Sequence, residues 1–343
     1  MISLRQLKRM LIIDIFGIST LVLPVGLAKT AGIYGGAAII LGTIIEIIIV
    51  AVTFRDKDKK LQKKSPVFII WSLFVLVQLI IGGTVCIKLA TKMISVNLLP
   101  GENKYIIALL FVIVSWYMIE RGIEGKARIG EIVFNYIFIH LIFMLAFSMS
   151  DFKLGDVFLK EGHDGNNIIL GTYLVLAVFS IILVLLFKAD CYQDNRMAKK
   201  GLVTALTFCG VLNLIIYEIL EGVFSNNVIM NKNWPVISLM TVANVPGRIC
   251  TRVDAIMAAL WIISLLSLLS FFIYASTMVV KGITDKCKRW IIPGALSLAF
   301  FAAYVGSEYF EGAYEAIKLF ALYVGVPIML LVFLIRGKDD EKN

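Results

Sequence analysis

Asp14-Ile15-Phe16-Gly17-Ile18-Ser19-Thr20-Leu21-Val22-Leu23-Pro24 occupies the middle of the first apolar segment of this 343-residue chain. A helix that merely crossed a bilayer would carry neither a carboxylate nor a Gly-x-Ser-Thr run at that depth. A charge in the hydrocarbon region is costly and marks a functional position by default. Interrupted membrane helices also expose backbone N–H and C=O groups to a bound solute. The stretch therefore predicts a discontinuous first helix, with Gly17, Ile18, Ser19 and Thr20 as candidate substrate-binding residues. A half-helix starting near Leu21 would aim its positive end at an anionic group. Pro24 lacks an N–H and fits a broken ladder. The competing reading is a kinked helix packed through small residues.

The composition agrees with a membrane setting. Hydrophobic residues make up 59% of the chain and charged ones 17%, which describes a polytopic membrane protein and not a soluble domain. The net charge of +9 comes from bases clustered in short loops, the positive-inside pattern, with no basic-aromatic surface for nucleic acid. Cys86, Cys191, Cys209, Cys250 and Cys287 are scattered and form no CxxC, so neither a disulfide framework nor a zinc site is expected. Arg5, Lys8 and Arg9 before an apolar run resemble a signal peptide. Asp14 and Gly17 interrupt the apolar stretch and more segments follow, which favours an uncleaved first helix.

Ten apolar segments fall at 8–29, 33–54, 66–96, 104–119, 129–149, 167–187, 199–222, 253–280, 290–306 and 314–335. Each is near the ~20 residues that span a bilayer, and the third is long enough to require tilt or protrusion. Placing both termini inside puts Arg55–Lys64, Arg121, Lys126 and Arg128 among the inner loops. The loop 150–166 and the acidic Glu308 and Glu311 then lie outside. The expectation is one polytopic domain over 1–343. Five segments in 1–150 and five in 167–336 would have opposite orientations, an inverted repeat. The sixth segment should then mirror the first with a break near Phe179-Ser180. In the loop 223–251, Trp234-Pro235 followed by apolar residues reads as a short re-entrant helix.

Other polar residues inside the segments are candidates. Asp14 and Glu46 lie at similar depth and could share a proton or hold a cation; the plainer reading pairs each with a nearby base or leaves it protonated. Ala38, Gly42 and Glu46 share a helix face that should pack on a neighbour. His140 is read as a satisfied core histidine, with a proton relay as the alternative. Asp14, Glu46 and His140 are thus the gating or ion-coupling candidates. Ser267, Ser270 and Tyr274, with Ser264 nearby, form one face of the eighth segment, lining a polar cavity or bonding backbone carbonyls. Asn213, Tyr217 and Glu221 make a polar stripe that lines an outer vestibule or marks an interface. Lys88 and Lys92 are expected to snorkel outward. HExxH and GxxxxGK[ST] patterns are absent, as is any nucleophile–base pairing, so an enzyme, a metal or another cofactor is not expected.

Three motifs in order resemble one family. Gly17-Ile18-Ser19-Thr20-Leu21-Val22-Leu23-Pro24 is similar to a G-x-G-x-L-x-L-P first-helix break. Trp234-Pro235-Val236-Ile237-Ser238-Leu239 is similar to W-P-x-I-S-L, and Arg252-Val253-Asp254 to R-x-E. The chain resembles the B subunit of spore germinant receptors, the endospore germination permeases of the amino acid–polyamine–organocation superfamily. The resemblance implies a LeuT-like fold with broken first and sixth helices around a mid-membrane site. It also implies a small nutrient germinant, often an amino acid, and partners in an A-type membrane subunit and a C-type lipoprotein of the spore inner membrane. Phe179, Ser180, Ser267 and Ser270 join the candidate contacts on that basis. Ser19 stands where the family motif has its second glycine, and the sixth segment lacks the expected glycine and acid. The alternatives carried forward are a proton-coupled amino acid transporter and a structural or ion-conducting subunit without its own ligand.

Overall fold

The computed structural model describes residues 2–53, 66–120, 122–148, 167–180, 195–242, 253–283, 291–322 and 326. The loop 55–64, the loop 150–166, the second part of the sixth segment and most of the tenth lie outside these residues, as do Cys191, Cys250, Cys287 and Arg252.

Every described element is helical. The order is α1 Leu4–Thr30, a 3-10 turn Gly32–Tyr34, α2 Gly35–Thr53, α3 Pro66–Asn97, α4 Lys104–Ile119, α5 Ile123–Ser148 and α6 Ile168–Phe179. There follow α7 Asn195–Val223, α8 Asn226–Asn231, α9 Pro235–Val242, α10 Val253–Ile283, α11 Ile291–Tyr309 and α12 Glu311–Phe320. Among the described residues, seven helices are long and apolar enough to cross a membrane, and α4 and α6 are shorter apolar helices. At 1.5 Å per residue the 32 residues of α3 extend about 48 Å, well beyond a ~30 Å hydrocarbon core, which is the tilt or protrusion its length predicts.

The caps set the starts. Ser3 accepts from the Gln6 N–H while the Gln6 side chain accepts from the Ser3 N–H, a capping box that begins α1 four residues before the apolar run. Asn103 caps α4 through the Tyr105 N–H, and Asn167 caps α6 through the N–H groups of Ile169 and Leu170. Pro235 opens α9 at the position where its missing N–H costs nothing.

The packing joins two groups of helices. In one, α2 lies against α6 and α7, and α1 against α6 and α7; in the other, α3 and α4 pack with α10 and α11. α1 touches both groups through α10 and is buried at every residue from Met10 to Leu21. The contacts are reciprocal: α1 packs on α7 as α6 packs on α2, and α4 on α10 as α11 on α3. The lipid-facing surface is apolar, as in the exposed row Leu41, Ile44, Ile48 and Val52 of α2.

One expectation fails here. α1 is a single uninterrupted helix through Gly17–Thr20, with Pro24 inside it. The expected free backbone donors are therefore engaged in the helix. The cause is tertiary: every polar side chain of the stretch finds a partner on another helix or on its own preceding turn, which offsets the backbone bond that Pro24 removes. The described part of the sixth segment is α-helical over Ile168–Phe179 with Ser180 in αR conformation as its C-cap, and the break expected near Phe179-Ser180 falls at the edge of the described residues. The 12 described residues of α6 cover about 18 Å.

Candidate functional site

The polar stretch of α1 forms the hub of a buried hydrogen-bonded network. Thr20 Oγ1 donates to the Phe16 carbonyl at 2.7 Å and accepts from Trp261 Nε1 at 2.9 Å. Ser19 Oγ accepts from Asn213 Nδ2 at 3.0 Å, and the same amide nitrogen donates to the Cys209 carbonyl at 2.7 Å. The Phe16 ring stacks on Trp261, with centroids 5.8 Å apart and planes within 6°. Ser19 thus ties α1 to α7, and Thr20 and Phe16 tie it to α10. Neutral hydrogen bonds contribute about 1 kcal/mol each, and leaving one partner buried and unpaired costs about 1–3 kcal/mol.

Gly17 serves close approach. A Cβ there would lie 2.5 Å from Ser264 Oγ and 3.3 Å from the Leu265 nitrogen, so α10 presses directly on the α1 backbone. Ser264 Oγ donates across this contact to the Ile13 carbonyl at 2.5 Å. Ser270 Oγ turns back onto the Ser267 carbonyl at 2.6 Å. Ile18 is buried in the same core.

Asp14 has a base from a third helix. Lys126 Nζ lies 2.5 Å from Asp14 Oδ2, and Ser267 Oγ donates to Asp14 Oδ1 at 2.6 Å. Lys126 is 1% exposed and its ammonium sits 4.8 Å from the Phe271 ring centroid. A carboxylate, an ammonium and a hydroxyl from α1, α5 and α10 therefore close one end of the α1 hub. Lys126 belongs by sequence to a row of loop bases; the structure makes it a buried residue of the first turn of α5. Nearby, Glu131 of α5 holds Arg5 at 2.6 Å and Arg9 at 3.6 Å, and accepts from Gln6 at 3.2 Å. The plainer reading of Asp14 holds, though its partner comes from 112 residues away and not from Arg9.

Glu46 is on another seam. A Cβ at Gly171 would contact Ala38, and one at Gly42 would contact Val175. The face formed by Ala38, Gly42 and Glu46 thus packs on α6, as its spacing predicts. Asp14 and Glu46 do not share a partner: Asp14 is held by Lys126 and Ser267, whereas neither Glu46 oxygen has a hydrogen-bond partner. His140 is not a core histidine. It is exposed on α5, where its Nδ1 pairs with the Tyr136 carbonyl at 2.8 Å, apart from both acids. The stripe on α7 is an interface and not a vestibule. Asn213, Tyr217 and Glu221 are buried, and Tyr217 donates to the Gly32 carbonyl at 3.0 Å.

The end of α6 meets this hub. The Gly26 backbone faces Leu174, and Gly171 faces Leu27 and Ala31, so α1 and α6 run antiparallel. Carrying that register forward puts Phe179 and Ser180 at the level of Leu21 and Thr20. Phe179 is fully buried, and Ser180 Oγ donates to the Ala177 carbonyl at 2.9 Å. The nominated residues of α1 and α10 meet directly, through Gly17 with Ser264 and Asp14 with Ser267, whereas Trp261 and Lys126 are members the sequence reading did not nominate and Asn213, read there as part of a separate stripe, joins Ser19. Trp261 had a signal, since an indole N–H within a membrane helix needs an acceptor.

At the opposite end, Lys88 pairs with Glu308 at 3.4 Å and lies 4.3 Å from the Tyr314 ring centroid, while Lys104 pairs with the same carboxylate. Lys92 donates to Asn233 Oδ1 at 3.2 Å and lies 5.7 Å from the Trp234 ring centroid. Lys92 is exposed and Lys88 partly so, and each also has a protein partner.

Residues 1–309 match the family described as "Spore germination protein". Spore germination protein B2 of Bacillus subtilis (strain 168) is 24% identical over 306 residues, covering 84% of this chain and 82% of its own length. Spore germination protein YndE of the same organism is 20% identical over 296 residues, covering 84% of this chain and 81% of its own. Among solved structures, the substrate-bound outward-open state of a Na+-coupled sialic acid symporter superposes with a TM-score of 0.56. It covers 97% of this chain and 76% of the symporter at 11% identity, a likeness that concerns the fold alone. That fold is the LeuT-like arrangement of membrane helices. This chain is an all-α integral membrane protein that belongs to the spore germination protein family.

Proposed function

We propose that this chain is the nutrient-sensing subunit of a spore germinant receptor. It binds a small amino-acid-like germinant where α1 meets the end of α6, and it passes a conformational signal to partner subunits. What supports the reading is the antiparallel register of α1 and α6, which brings Phe179 and Ser180 to the level of Leu21 and Thr20, in a LeuT-like fold and in a chain of the germination family. Solute recognition in such a fold uses polar groups at the ends of discontinuous helices.

The packed state described here accounts for how binding could signal. Ser19, Thr20, Ser264, Ser267 and Ser270 are all engaged by protein groups. A solute that takes over some of those bonds must separate α1 from α7 or α10. Its affinity then differs between the packed and separated states, and that difference is the only free energy available for a signal. The A-type membrane subunit and the C-type lipoprotein would read the change in the spore inner membrane, with both termini of this chain on the cytoplasmic side. Asp14 with Lys126 would act as the inner gate.

The test is a germination dose–response over a panel of amino acids, using spores that carry wild-type, Thr20→Val or Ser180→Ala chains at equal protein level. A rise of about tenfold in the half-maximal germinant concentration is expected, the factor for ~1.4 kcal/mol of binding. Identical curves for all three chains would refute the placement of the site.

A further inference from the structure

Glu46 is the outlier of the fold. It is 0% exposed, and neither carboxyl oxygen has a hydrogen-bond partner. It lies on α2, one turn beyond Gly42, whose backbone meets Val175 and the Thr172 carbonyl of α6. On the other flank, a Cβ at Gly210 of α7 would lie 2.6 Å from Thr43 Oγ1, so α7 closes the same seam. Thr172 borders this seam and its hydroxyl is likewise buried without a partner.

Among the described residues, the neighbouring helices bring no countercharge to Glu46. The described part of the sixth segment carries one titratable side chain, Tyr173, and its hydroxyl is engaged by the Leu322 carbonyl. On α7, Lys199 Nζ donates to the Ala51 carbonyl at 3.2 Å, near the end of α2. Cys209 Sγ donates to the Ile12 carbonyl, Tyr217 to the Gly32 carbonyl, and Glu218 sits against Gly36, away from the Glu46 turn. Arg196 and Lys200 are exposed, and Glu221 lies about three turns beyond Gly210 along α7. α1 meets α2 lightly, and its buried acid, Asp14, is held by Lys126 and Ser267. A bare carboxylate here would be a buried, unpaired charge in a membrane helix, which structures do not tolerate. A hard cation needs several oxygens to replace its water, and among the described residues no group of three or more His, Cys, Asp or Glu side chains gathers to hold one.

We propose that Glu46 is a proton-binding site. It holds a proton while α2 is packed on α6 and α7, and it releases that proton when the seam opens to water. Loss of the proton and separation of α2 are then one event, so pH biases the packed state against the open one. Glu46, and not Asp14 or His140, is the group through which this chain exchanges a proton with solvent. This proton site is independent of the nutrient reading, because it belongs to a seam that the solute need not touch.

The experiment uses the purified full chain in lipid nanodiscs with protons as the probe and no nutrient, so its failure leaves the nutrient site untouched. Infrared difference spectra between wild type and Glu46→Gln are recorded across a pH series, with deuterium exchange of the α2 peptides Gly35–Thr53 measured in parallel. Expected are the carbonyl stretch of an un-ionised acid in wild type alone at neutral pH, its loss on alkalinisation, and α2 exchange about tenfold faster than in Glu46→Gln at alkaline pH but equal at acidic pH. Comparison at equal pH cancels the intrinsic pH dependence of exchange. Glu46→Met provides the same neutral reference where the amide disturbs folding. An ionised Glu46 at neutral pH, or α2 exchange that is the same in all chains at every pH, would overturn the proposal.

Discussion

Replacing Lys126 with Met leaves Asp14 buried with Ser267 as its remaining polar contact. The structure sets the magnitude. Both partners of the pair are almost wholly buried, with side-chain exposures of 0% and 5%, so solvent does not screen the loss. Breaking a buried pair by removing one member costs about 3–5 kcal/mol, because an uncompensated charge remains. At roughly 2–4 °C per kcal/mol for a large domain, a loss of about 3 kcal/mol lowers the thermal midpoint by roughly 6–12 °C. The double variant Asp14→Asn with Lys126→Met should recover most of this, since the introduced amide still accepts from Ser267 and no charge is left. Replacing a whole buried pair is often neutral. The assay is tryptophan-fluorescence or scintillation-monitored unfolding of the purified chain in one detergent. A single variant as stable as wild type, or a double variant as damaged as the single, would refute the view that α1, α5 and α10 are joined by a paired charge.

Further outcomes follow from the same network. Thr20→Val removes the acceptor for Trp261 Nε1 and should cost about 1–3 kcal/mol, whereas Trp261→Phe removes the donor and should cost less from the polar contact, which melting of both variants will separate. Gly17→Ala should destabilise by about 1–3 kcal/mol through overpacking against Ser264, and Ser264→Ala in the same chain should relieve part of it; no rescue would mean the α1–α10 contact is looser than described. Glu308→Gln releases Lys88 and Lys104, and because both are partly exposed its effect should stay below about 1 kcal/mol and shrink with added salt.

The apolar runs and the alternation of basic and acidic loops make the helices and the membrane setting legible, because burial in lipid demands long uncharged segments whatever their partners. Trp234-Pro235 likewise announces α9, since proline at a first helical position is a local signal. The small face of Ala38 and Gly42 announces a close helix contact for the same reason. The continuity of α1 is not local. Gly17, Ser19 and Thr20 read as a weak point until Asn213 and Trp261, 194 and 241 residues away from the hydroxyls they meet, are known to stabilise the helix. Lys126 is hidden in the same way: three residues from a helix start it looks like a loop base, and only the fold brings Asp14 to it. His140 fails from the other direction. A central position in a segment gives depth but not azimuth, and α5 turns it outward.

The proposed nutrient site lies where α1 meets α6. Its most direct test is equilibrium binding of radiolabelled amino acids to the purified chain in nanodiscs, with Thr20→Val and Ser180→Ala alongside. Saturable binding of at least one amino acid to folded wild type is expected, weakened about tenfold in each variant. Folded protein that binds none of the panel, or binding that neither substitution alters, would contradict it.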